Sequence, residues 1–220
     1  MELYQAMRTT FAAREFTGDP LPDETLLKIL DNARFAPSGG NRQGAHVIVV
    51  RDTKTREAIA ALNVPAAKRY IAQMQAGENP WNPVDPPRVS PEVIARTAVP
   101  ARMVEPLLKA AVVLVVCVDL RVVAAVDQDL DRVGIIAGAS IYPFVWSILL
   151  AARAEGFGGV LTTVAIAQEP ELKKLLGIPP HVAVCAIVPL GKPVKQLTKL
   201  RRKPVAEIAV RERWGGEAFG

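Results

Sequence analysis

The chain has 220 residues, half of them hydrophobic and 22% charged, which supplies a packed core and excludes a globally disordered protein. The formal net charge of +5 is mild: it suits an anionic, phosphate-bearing ligand, and no dense Lys/Arg block with interleaved aromatics marks a nucleic-acid surface. Cys117 and Cys185 each sit in an aliphatic run and read as buried, unreactive thiols. There is no CxxC pair and no ligand spacing around His46 or His181, so no metal site is expected. Met1–Thr10 lacks the apolar segment of a signal peptide, so a cytoplasmic protein is expected.

Taken in order, Leu3 to Phe11 reads as a short helix and Gly18-Asp19-Pro20-Leu21-Pro22 as a turn. Asp23-Glu24-Thr25 opens a second helix with acidic residues at its positive end, and Leu26, Leu27, Ile29, Leu30 and Ala33 form its apolar face. Ala36 to Asn41 breaks that helix. Val47-Ile48-Val49-Val50 reads as a buried strand, and Thr53 to Leu62 as a helix. Seven of the eighteen prolines fall between Asn79 and Pro106, which rules out regular sheet and confines helix to pieces such as Glu92 to Thr97. This stretch is expected to form a lid or arm over a site, the alternative being a loose connecting excursion.

Ala110 to Val118 suits a buried central strand. Val133 to Ala152 is twenty residues without a charge, the length of a membrane span. Ser140, Tyr142, Pro143 and Ser147 within it favour instead a helix buried on all faces, in the core or at a dimer interface, with Asp127, Asp129 and Asp131 capping its start. Gly156 to Gly159 ends that helix and Val160 to Thr163 follows as an extended piece. Glu169 to Leu176 is a helix stopped by Gly177, and Val182 to Leu190 a last central strand. Residues 191–220 form a basic tail with no core pattern of its own.

The glycines at 156–159 are not a dinucleotide fingerprint, because the helix precedes them and the extended piece follows. Ser140 lies in an apolar run and does not stand on a nucleophile elbow. Ala36-Pro37-Ser38-Gly39-Gly40-Asn41-Arg42-Gln43 is more informative. Small residues expose backbone N–H groups beside two side-chain amides, Asn41 and Gln43, a set able to read the edge of a flat polar heterocycle or simply to cap a turn. This segment resembles the Pro-Ser-x-x-Asn-x-Gln motif of the flavin-dependent nitroreductase family. Arg14-Glu15-Phe16, Gly156 to Thr163, Pro189 to Pro193, Arg202-Lys203-Pro204 and Arg213-Trp214-Gly215 resemble further family segments in the same order. The sequence departs from the family at Thr10, Phe11 and Ala12, where basic residues and a Ser are common, and at Gly44-Ala45, where Pro-Trp is usual.

The resemblance implies an α+β fold, with a central mixed sheet sandwiched by helices in three α/β/α layers. It implies one domain over residues 1–220 with a Pro-rich arm at 77–106 and a C-terminal arm at 191–220, assembled as an intertwined homodimer with FMN at the interface. The helix from Asp131 to Arg153 would lie in the dimer core. Arg14 and Arg202 would hold the FMN phosphate, with Ala12 beside them. Pro37, Ser38, Gly39 and Asn41 would come from the partner chain to touch the flavin ring and ribityl, Gln43 would join the cofactor site, and the stretch from Leu161 to Val164, with Leu161, Thr162 and Thr163 at the cofactor, would place a backbone N–H near N5. The implied reaction passes hydride from NAD(P)H by way of the flavin to an electron-poor acceptor, a nitroaromatic or quinone, with no acid–base residue required. Trp81 and Met103 would shape the acceptor pocket. The rival is a flavin- or deazaflavin-binding protein without turnover, for storage or sensing. No nucleic-acid or membrane partner is expected.

Overall fold

The computed structural model describes all 220 residues. Its helices are α1 (Leu3–Thr9), α2 (Asp23–Ala33), α3 (Thr53–Gln75), α4 (Pro91–Arg96), α5 (Glu105–Lys109), α6 (Tyr142–Ala154) and α7 (Glu169–Leu176). Its strands are β1 (Ala45–Val50), β2 (Val112–Asp119), β3 (Gly158–Gly159) and β4 (Val182–Gly191), in the sheet order β1-β2-β4-β3. All three strand pairs are antiparallel, and the parallel part of the expected mixed sheet is a single bridge from Ala12 to Gly159.

Side-chain alternation along β2 builds two cores at once. Val112, Leu114, Val116 and Val118 face one way, packing with buried residues of α2 and α6. Val113, Val115 and Cys117 face the other way, with residues of α3, α5 and α7. The result is the expected three-layer α/β/α sandwich, with β2 and β4 buried on both faces as their uninterrupted apolar composition requires. The pairing of β2 with β4 shifts between Val116 and Cys117. At this irregularity the Glu169 carboxylate accepts a 2.7 Å hydrogen bond from the Val184 N–H.

Four expectations change. The strand at 47–50 is an edge strand, half solvent-facing, because β2 covers only one of its sides. Leu27 on α2 is exposed, while Leu26, Ile29 and Ala33 are buried at true helical spacing. α3 runs to Gln75, well past Leu62. Pro65 removes one backbone donor without ending the helix, and Ala66, Ala67, Ile71 and Ala72 continue the buried stripe. The apolar run at 133–152 is not one long helix. Residues 123–135 are irregular, a 3-10 turn spans Ile136–Ser140, and α6 begins only at Tyr142 with Pro143 in its first turn. No helix is long and apolar enough to cross a membrane. Asp127 does cap the start of this run. Only 3% exposed, it accepts from the Ile135 and Ile136 N–H groups and from Arg132, whereas Asp129 and Asp131 face solvent.

After β4 the chain pairs once more with the N-terminal segment, Thr17 donating to the Lys192 carbonyl and Val194 to that of Glu15. Beyond residue 191 no residue is buried, and Ile208, Trp214 and Phe219 stand exposed.

Candidate active site

The two-residue strand β3 sets the site. A Cβ on Gly159 would collide with the Pro189 carbonyl and the Leu190 side chain, so only glycine lets the chain lie this close to β4. Ala13 donates to the Gly159 carbonyl, which draws the Ala12–Arg14 segment alongside. The following residues continue extended, Thr162 exchanging two 2.9 Å hydrogen bonds with Ile187. In such a chain alternate N–H groups point to opposite sides. Those of Leu161 and Thr163 therefore turn away from the sheet, and neither has an acceptor within the chain.

They open on a cavity of about 230 Å³ lined by Leu161, Thr162, Thr163, Arg14 and Met103, five of the residues expected from sequence. Asn63 and Tyr70 from α3 and Arg102 from the Pro-rich arm also line it, and none of these was expected. Asn63 is 2% exposed. Its Nδ2 donates to the Met103 carbonyl at 2.6 Å, and its Oδ1 has no donor in the chain. Nothing local flags these side chains. Asn63 lies one residue past the expected helix end at Leu62 and two before Pro65, and only the continuation of α3 to Gln75 places Asn63 and Tyr70 beside the 160–164 segment.

A second cavity of about 600 Å³ adjoins the first, sharing Tyr70, Thr163 and Val164, and Trp81 is one of its walls. Trp81 has φ +57°, a left-handed conformation that costs of order 1–3 kcal/mol for a residue of this size. A network centred on the buried Gln73 holds it there: the Trp81 N–H donates to Gln73, which donates in turn to Glu78, whose other oxygen accepts from the Arg88 N–H. The Arg69 guanidinium stacks 3.9 Å from the indole centroid.

The loop at Pro37–Gln43 lies elsewhere. Ser38 and Gln43 line a different cavity, with Leu27, Leu30 and Phe144, which has no residue in common with the first. Gly40, Asn41 and Gln43 are all left-handed, and the loop is tied by Gln43 N–H to Ser38 Oγ and by Gly39 N–H to Ser140 Oγ, giving Ser140 an anchoring contact. Pro37, Gly39 and Asn41 are presented outward. Arg202 lines neither site cavity, and its guanidinium donates to the neighbouring Arg201 carbonyl. No group of His, Cys, Asp or Glu is arranged to hold a metal ion.

A three-layer sandwich with a basic, donor-rich cavity beside its edge strand is an arrangement suited to a phosphorylated planar ligand. The chain's membership is more specific: residues 7–192 match the Nitroreductase family, and the protein belongs to it. A Thermus thermophilus protein named NADH dehydrogenase is 26% identical over 206 residues, covering 90% of this chain and 89% of its own. An iodotyrosine deiodinase bound to FMN and 3-iodo-L-tyrosine superposes with TM-score 0.68 at 22% identity, covering 96% of this chain and 99% of that one. An NADPH:FMN oxidoreductase from Vibrio harveyi, complexed with NAD+, superposes with TM-score 0.65 at 21% identity, covering 96% and 76%.

Proposed function

We propose that this protein is an FMN-dependent oxidoreductase that takes electrons from NAD(P)H and passes them to an electron-poor acceptor of the nitroaromatic or quinone kind. The observation that carries this reading is the unpaired Leu161 and Thr163 N–H groups beside the cavity that Arg14 and Asn63 also line. The polar groups fit FMN: a guanidinium for the phosphate, backbone donors for the ring edge, and one acceptor in the unpartnered Asn63 Oδ1. Bound FMN would supply the two-electron hydride chemistry. The chain's own part is to hold the ring, to stabilise negative charge on it through backbone donors, and to exclude water with the 77–106 arm. A structural relative of the same fold complexed with NAD+ supports the nicotinamide donor.

The Pro37–Gln43 loop does not meet Arg14 within one chain. We infer that a second copy brings it there, in a homodimer of single-domain subunits whose C-terminal arms, Arg202 included, cross to the other subunit. The exposed Val126, Leu130, Val133 and Ile135 ahead of α6 support such an interface. The test is the absorbance of the purified protein before and after anaerobic NADPH or NADH. Flavin bands that bleach carry the reading. Bands that persist point to a binding protein without turnover, and a protein that takes up no FMN refutes it.

A further inference from the structure

The second cavity bears on which acceptors the protein takes, a question that rests on the flavin reading above. Its walls are apolar and aromatic, including Trp81, Tyr142 and Ile166, so a flat ring is the shape it accepts. Trp81 is a prepared wall. Its backbone is held left-handed by the Gln73–Glu78 network, and Arg69 occupies one side of its indole. No carboxylate lines either cavity. The charged groups of the pair are Arg14 and Arg102, and neither of these, nor Arg69 behind Trp81, forms an ion pair with any Asp or Glu of the chain. With Arg14 assigned to the FMN phosphate, Arg102 is left free at the cavity that shares Tyr70 and Thr163 with the second.

We propose that the preferred acceptor is a planar aromatic anion, its ring stacked on Trp81 and its carboxylate or phenolate met by Arg102. A ligand bearing an ammonium group would be desolvated beside two guanidinium groups with no counter-charge. The cavities therefore disfavour a zwitterionic amino acid. For a nitroaromatic carboxylate the balance is NAD(P)H plus one proton plus the nitro compound, giving NAD(P)+, the nitroso compound and one water. The two electrons and one proton come as hydride by way of the flavin, and the second proton comes from solvent.

The test uses the FMN-loaded protein and three matched probes: 4-nitrobenzoate, its methyl ester and 4-nitrobenzylamine. Binding to the oxidised protein is read by equilibrium dialysis and turnover by NAD(P)H oxidation. Expected is a dissociation constant and KM for 4-nitrobenzoate roughly tenfold below the ester's, as a charge-assisted hydrogen bond to a solvent-facing guanidinium supplies. The amine should bind weakest. Arg102→Met should erase the benzoate's advantage and leave the ester's KM unchanged, Arg102→Lys should restore part of it, and Trp81→Leu should weaken benzoate and ester together. Equal binding of all three probes, tightest binding of the amine, or an Arg102→Met that lowers kcat for benzoate and ester alike would overturn the inference while leaving bound FMN in place. A protein that takes up no FMN would remove the parent reading and this one together.

Discussion

Replacing Asn63 by leucine separates a residue kept for a ligand from one kept for the fold. The amide is buried and makes one hydrogen bond, from Nδ2 to the Met103 carbonyl, while Oδ1 has no partner. A neutral hydrogen bond contributes about 1 kcal/mol net, and a buried unpaired acceptor costs about 1–3 kcal/mol. Asn63→Leu loses the first and relieves the second, with some penalty for stranding the Met103 carbonyl. The flavin-free protein should therefore keep its stability to within about 1 kcal/mol in urea unfolding, where an ordinary buried polar-network residue would lose more. FMN affinity should fall by roughly 2- to 10-fold, the value of one hydrogen bond of about 0.5–1.5 kcal/mol. Fluorescence titration of FMN reads the second quantity. A variant that loses more than about 3 kcal/mol without FMN, and binds FMN as tightly as before, would show that Asn63 serves only to hold α3 to the arm.

Gly159→Ala forces a methyl group into the Pro189 carbonyl and Leu190 side chain. Overpacking of this kind costs about 1–3 kcal/mol, about 2–4 °C of melting temperature for each kcal/mol, and FMN retention on gel filtration should fall with it. Asp127 has its carboxyl held at about 2, first by the Ile135 N–H and then by Arg132. Because that value is depressed on folding, its stabilisation is present above the ordinary carboxylate value near 3.8 and is lost as pH falls towards 2. Asp127→Asn should flatten the acid limb of stability by up to about one proton taken up on unfolding, read from melting temperatures across that window. Burial pushes the Cys117 thiol to about 11 and the Cys185 thiol to about 12. At pH 8 the native protein should leave a thiol reagent unreacted, and in guanidinium chloride both cysteines should react.

Elements whose signal is local were legible in the sequence. α7 carries its own stop in Gly177, whose φ of +66° suits glycine, and β2 and β4 announce double burial by unbroken aliphatic composition. Elements set by context were not. The apolar run at 133–152 has helical composition, yet Gly134, Gly138 and the proline at 143 yield an irregular stretch and one short helix. α3 continues past Pro65 because its buried stripe outweighs one missing hydrogen bond. The site divides in the same way. Arg14, Leu161, Thr162 and Thr163 lie in motifs and line one cavity, whereas Asn63, Tyr70 and Arg102 reach it only through tertiary packing and carry no motif.

Every buried residue precedes residue 192, while Lys199, Arg201 and Arg202 lie exposed in the arm beyond. Core and arm are thus separable by a protease. A brief trypsin digest should trim the chain near residue 200 and leave the sandwich folded, with an unchanged far-ultraviolet spectrum. Bound FMN or a neighbouring subunit lying over the arm would slow that cut, so the clipping rate becomes a gauge of how fully the arm is engaged.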